Sequence, residues 1–177
     1  MVDALIRVID RLIQLLEIRK RFNRQMFEDH IGPIYKDLQV IIDDYREIIL
    51  AIETKLNKGV TIERLLDELV LRREKYARVR DEVKKYAHAL ADAKLNEDVY
   101  EFARSCLDLF QFEPTMPRGS YVQSAITSLM EDIDFVTTYP SEKRSLSRLI
   151  NEYKLRLGYH WNDVSWKYFQ LRAKYLK

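Results

Sequence analysis

Along almost its whole length this chain repeats one pattern: an apolar side chain, then another three or four residues later. That spacing gathers them on one side of an α-helix and does not suit the two-residue alternation of a strand. The punctuation that would break the pattern is scarce, with four Gly and four Pro in 177 residues. An all-β protein needs frequent turns and could hardly be built from so few breakers. The fold class read from this is all-α. At 47% hydrophobic and 33% charged residues, the chain is globular and has material for one sizeable core.

Six helices are expected. The first runs from about Val2 to His30, with a polar stripe of Asp3, Arg7, Asp10, Gln14, Glu17, Arg21, Arg24 and Glu28. Up to Ile18 nearly everything off that stripe is apolar, Arg11 excepted. The arc that includes Leu5, Ile9, Leu12 and Leu16 is wider than one packing seam requires. Gly32-Pro33 is expected to end this helix, because proline disfavours helical geometry in the residue before it. The second helix spans about Pro33 to Asn57, with Ile34, Leu38, Ile41, Tyr45, Ile48 and Ile52 inward. Thr61 caps a third, carried to about Lys94. Its acid-first pairs at four-residue spacing, Glu68–Arg72, Glu74–Arg78 and Asp81–Lys85, suit an exposed rod. A fourth helix covers about Asn96 to Phe112, with Val99, Phe102, Cys106 and Phe110 inward. A loop at 113–120 leads to a fifth helix over about Ser120 to Thr138. The last runs from Glu142 to Leu176 in one register across Gly158, through Ile150, Tyr153, Leu157, His160, Val164, Tyr168, Leu171 and Tyr175. Together these make a single domain over 1–177: an elongated antiparallel helical bundle of about six helices, three of them long, with its long-helix part at about 1–94.

Most chemistries find no residues here. The lone Cys106 excludes an intramolecular disulfide and a cysteine-based zinc cage. No His has Glu or Asp three residues before it, so the di-iron pattern of helical bundles is absent and no metal site is expected. His160 falls on the apolar line of its helix and reads as a hydrogen-bonded bundle residue. Cys106 reads as a small core hydrophobe. There is no nucleophile elbow and no phosphate-cradling glycine loop, and no cofactor is expected. No run of about 18 apolar residues suggests a membrane span. The charges of the first helix do not suit a signal peptide, and the cytoplasm is the expected home.

One enzymatic pattern is present. Arg24-Gln-Met-Phe-Glu-Asp-His30 resembles, over these seven residues, the Arg-x4–6-His motif of small helical ribonucleases of the HEPN class. The resemblance implies an Arg24 that steadies a phosphate and a His30 that moves a proton.

Charge is distributed more tellingly than its net value of +2. Counting Lys and Arg against Asp and Glu, residues 94–140 carry −5 and residues 141–177 carry +6. The last helix is therefore basic, and it is also aromatic, with Trp161, Trp166, Tyr168, Phe169 and Tyr175 near Lys167, Arg172, Lys174 and Lys177. Such interleaving can grip nucleic acid or an anionic surface. The acidic middle helices offer the same cations an internal partner. A membrane-surface helix at the N-terminus is disfavoured by the acids Asp3, Asp10 and Glu17 in its polar stripe. The function expected from all this is a non-enzymatic protein–protein interaction module, a homo-oligomer or one component of a complex. Its contact candidates are Leu5, Ile9, Leu12 and Leu16 on the first helix and Trp161, Trp166 and Phe169 on the last. The alternatives are a HEPN-like ribonuclease using Arg24 and His30, and a nucleic-acid or anionic-surface binder using the last helix.

Overall fold

In a computed structural model the protein is described over residues 2–18, 22–58, 82–110 and 143–176. Among these residues the chain is mostly helical and has no strand. Helix α1 is Val2–Leu16, and α2 is the single turn Arg24–Met26. A π-helical turn, Phe27–Ile31, leads without a break into α3, Gly32–Asn57. The helical residues 82–91 form α4, α5 is Glu97–Phe110, and α6 is Lys143–Tyr175. The expected loop at 113–120, the fifth helix and most of the third lie outside the described residues.

Helix α1 puts Leu5, Val8, Ile9, Leu12 and Leu15 wholly out of solvent and keeps Arg7, Asp10, Gln14 and Glu17 exposed. Arg11, the one charge in the apolar arc, is accounted for by α3, where Asp37 accepts its hydrogen bond at 2.5 Å. The helix stops at Leu16 instead of running to His30, and its last amides close short turns at Glu17 and Ile18. At the start of α2 the Asn23 side chain caps a new helix by accepting from the Met26 amide at 3.0 Å.

Gly32-Pro33 does not terminate a helix. Proline inside a helix lacks an amide proton and crowds the carbonyl four residues back. Here that carbonyl belongs to Asp29, inside the π turn, where the Gly32 amide bonds to the Phe27 carbonyl five residues back. The wider turn relieves the crowding, and Gly32 keeps right-handed helical angles (φ −56°, ψ −54°) in front of Pro33.

Helix α3 then buries Ile34, Leu38, Ile41, Ile42, Tyr45, Ile49 and Ile52, close to the expected line. The side chain of Ile48 is outside the described set. Helix α4 buries Val83, Leu90 and also Tyr86, whose hydroxyl donates to the Ala103 carbonyl at 2.6 Å. Lys85 donates to Glu82 at 2.7 Å. Asn96 opens α5 by accepting from the Asp98 amide at 3.1 Å, with Glu97 and Asp98 favourably placed at the positive end of the helix dipole. Helix α5 buries Val99, Phe102, Cys106 and Phe110.

At about 1.5 Å per residue the 33 residues of α6 make a rod of roughly 50 Å, unbroken at Gly158. Its inner line, Ile150, Tyr153, Leu157, Val164 and Leu171, is buried. It packs on α5 and α3, while α1 packs on α3. Among the described residues, cross-helix ion pairs tie α6 down: Lys154 to Glu53 of α3, and Lys167 and Lys174 to Glu101 and Asp98 of α5.

Candidate interaction surface

Helix α6 is apolar on two opposite sides. The inner side carries the joint to α3. Tyr35 stacks on Tyr168 with ring centroids 3.8 Å apart and planes 2° from parallel, and on Trp161 at 5.1 Å and 13°. The Tyr35 hydroxyl donates to the Ser165 hydroxyl at 3.2 Å. Phe27 of the π turn stacks on Tyr168 as well, at 5.7 Å, and Phe22 meets the edge of Tyr175 at 5.0 Å.

The outer side repeats the same four-three spacing half a turn away: Leu155, Tyr159, Asn162, Trp166, Phe169, Ala173. Leu155 and Tyr159 are 73% exposed, Trp166 65% and Phe169 50%. From Leu155 to Ala173 this line contains no charged residue. Phe169 is steadied by the edges of Tyr35 at 6.1 Å and Tyr168 at 5.3 Å. Tyr159 meets His160 edge-on at 5.5 Å. Beside the line runs an open groove of about 640 Å³ between the start of α5 and the end of α6, lined by Glu97, Asp98, Glu101, Lys167, Gln170, Leu171, Ala173 and Lys174.

The cations around that groove are already engaged. Burial pulls the Lys167 ammonium downward, yet its hydrogen bonds to Glu101 and Asp163, both at 3.2 Å, outweigh this and hold its pKa above the ordinary value. The Asp98 carboxylate does the same for Lys174. Each ammonium therefore has a carboxylate of its own, and the groove is an internal electrostatic seam more than a free anion site. Arg156 and Arg172 are exposed.

Deeper between α5 and α6, burial pushes the Cys106 thiol far up and Asp108 above its ordinary value, and pulls His160 below its usual value. Cys106 is fully buried, so it is no accessible nucleophile. Among the described residues no group of three or more His, Cys, Asp or Glu side chains can hold a metal ion. No helix of the described residues is long and apolar enough to cross a membrane.

The residues singled out from sequence divide by this geometry. Leu5, Ile9, Leu12 and Leu16 are buried inside the chain's own core, so the wide arc of α1 is taken up internally and does not form an outer contact face. A charge placed at Ile9, Leu12 or Leu16 would attack the fold itself. Trp161 is half-buried against Tyr35 and belongs to the inner joint. Trp166 and Phe169 are exposed on the outer line. Leu155 and Tyr159 complete that line and were missed. Their signal was a second heptad spacing in the same helix, hidden behind the stronger inner one. Arg24 is exposed and donates from Nε to Glu28 at 2.9 Å, while Gln25 donates to Asp29 at 2.9 Å. His30 sits in the π turn, half-buried. The guanidinium of the Arg24–His30 motif is thus paired within the motif. Compared with protein-family models, with curated proteins and with solved structures, the chain finds no match.

Proposed function

We propose that this chain is a non-enzymatic protein–protein interaction module, an elongated antiparallel helical bundle that offers the outer face of α6 to a protein partner. One observation carries the reading. Four large apolar side chains, Leu155, Tyr159, Trp166 and Phe169, stand half to three-quarters exposed in one uncharged line. Exposed apolar residues scattered singly need no explanation, but a contiguous line on one rigid element marks a contact surface. Aromatic residues are the usual anchors of such surfaces. Three lysines of the same helix favour a protein over nucleic acid, since Lys154, Lys167 and Lys174 are committed to Glu53, Glu101 and Asp98. A single unpaired cysteine suits a reducing compartment such as the cytoplasm.

The test is a chain carrying Leu155→Glu and Trp166→Glu. Its helical circular dichroism should match the parent, and its unfolding free energy should stay within about 0.5 kcal/mol, as for surface substitutions that touch no core. Its binding of an apolar fluorescent dye should fall, together with any association. A loss of about 2 kcal/mol or more would overturn the reading, because it would make the line part of the chain's own core.

A further inference from the structure

The occupant of the outer face follows from its register, given the docking role argued above. Between Leu155 and Ala173 the face reads as a heptad seam: Leu155, Asn162 and Phe169 occupy one kind of seam position, Tyr159, Trp166 and Ala173 the other. In an antiparallel helix pair each position of one kind meets one of the other kind. We infer that this face binds the same face of a second copy of the chain, antiparallel, about a two-fold axis level with Val164.

That register is self-complementary. Tyr159 meets the second copy's Phe169, an aromatic pair. Leu155 meets the second copy's Ala173, large against small. Asn162 meets the second copy's Trp166, whose indole N–H donates to the amide oxygen. A parallel pair would stack Trp166 on Trp166 and Phe169 on Phe169, then leave Ala173 facing Ala173, bulk and void in successive layers. It would also bring together the two basic ends that carry Arg172 and Lys174. The antiparallel pair sets Arg156 beside the second copy's Gln170 and Arg172 beside its Gly158. Its one like-charged meeting is Asp163 with its own copy, and each of those carboxylates already pairs with Lys167 at 3.2 Å. A single Asn in an apolar seam weakens association but fixes register.

The area suits the assignment. Three aromatics and a leucine at these exposures offer on the order of 500 Å² of apolar surface per chain. With Asn162, Gln170 and Arg156 at the rim, each copy approaches the roughly 800 Å² that a standard interface takes from one partner. A reversible dimer is the outcome for such a surface.

Light scattering of the full chain across a concentration series tests this. The expected mass rises from the 21.2 kDa of one chain to twice that value. Trp166→Ala should raise the dimer Kd by about 30-fold or more, as for a central aromatic anchor. Orientation is read by a short bis-maleimide, to which the buried Cys106 is closed. A mixture of Arg156→Cys and Gln170→Cys chains should cross-link between the two, while Leu155→Cys alone should not link to itself. A single-chain mass at every concentration, with the Leu155→Glu, Trp166→Glu protein normally folded, overturns the second copy and leaves the docking reading intact. Unfolding of that variant defeats the docking reading itself. Self-linking of Leu155→Cys, or a mass of three or more chains, overturns the antiparallel pair.

Discussion

Tyr35 joins α3 to α6 by two ring faces and one hydroxyl. Each stacked aromatic pair adds about 0.5–1.5 kcal/mol beyond the area it buries, and both its stacking partners come from the same face of α6. Further along that helix His160 sits half-buried, and burial depresses its imidazole pKa, although Asp108 and Asp163 nearby pull the other way. The sign for stability follows. The unfolded chain takes up this proton first, at its ordinary pKa of about 6.5. Stability is therefore full above that pH and falls as the pH drops through it toward the lower folded value. Asp108, shifted upward, acts in the opposite sense at more acid pH. Urea unfolding of the parent and of His160→Gln between pH 8 and pH 5.5 should show the parent losing stability more steeply; equal slopes would remove the assignment. His160 was legible from its place on the apolar line. Tyr86 was not, because what admits a tyrosine to the core is the Ala103 carbonyl supplied by α5, and no local pattern announces that partner.

Element boundaries show where pattern stops and geometry begins. The inner line of α6 continues through Gly158, and the helix is indeed unbroken there. A β-carbon added at Gly158 would meet nothing within 4 Å. Gly158→Ala should therefore stabilise the chain by about 1 kcal/mol, read as a raised denaturant midpoint with an unchanged slope. No gain would mean that the backbone there departs from a plain helix. The end of α1 and the passage through Gly32-Pro33 were not legible. Apolar spacing carries on past Leu16 to Phe22, so nothing in side-chain type marks the stop. A π turn has no side-chain signature either, and it alone lets Pro33 sit inside a continuous helix. Position along the surface was the remaining gap. Counting apolar residues put the weight on α1, the richest element, yet α1 is covered and the sparser outer line of α6 is not. Which face is covered depends on where other helices lie, and periodicity within one helix does not encode that.

At the scale of the whole molecule, charge and apolar surface are segregated. Glu101 with Lys167 and Asp98 with Lys174 spend two opposite-charge pairs between α5 and α6, while Arg156 and Arg172 stay exposed off the outer line. Association through the outer line should then behave as apolar burial. Raising sulfate concentration should strengthen it, whereas a complex held by phosphate contacts would weaken steeply with salt. Sedimentation at low and high sulfate separates the two, and a mass that falls with salt would move the reading toward an anionic ligand.

The two tryptophans of this chain lie on one helix, five residues apart, and face different worlds. Trp161 rests on the ring of Tyr35, and Trp166 stands largely in water. Light absorbed by Tyr35 has an acceptor in Trp161 at stacking distance, while a dissolved quencher such as iodide reaches Trp166 first. One emission spectrum therefore holds two separable reporters: an inner one whose glow tracks whether α3 and α6 are still joined, and an outer one that goes dark to iodide until something covers it.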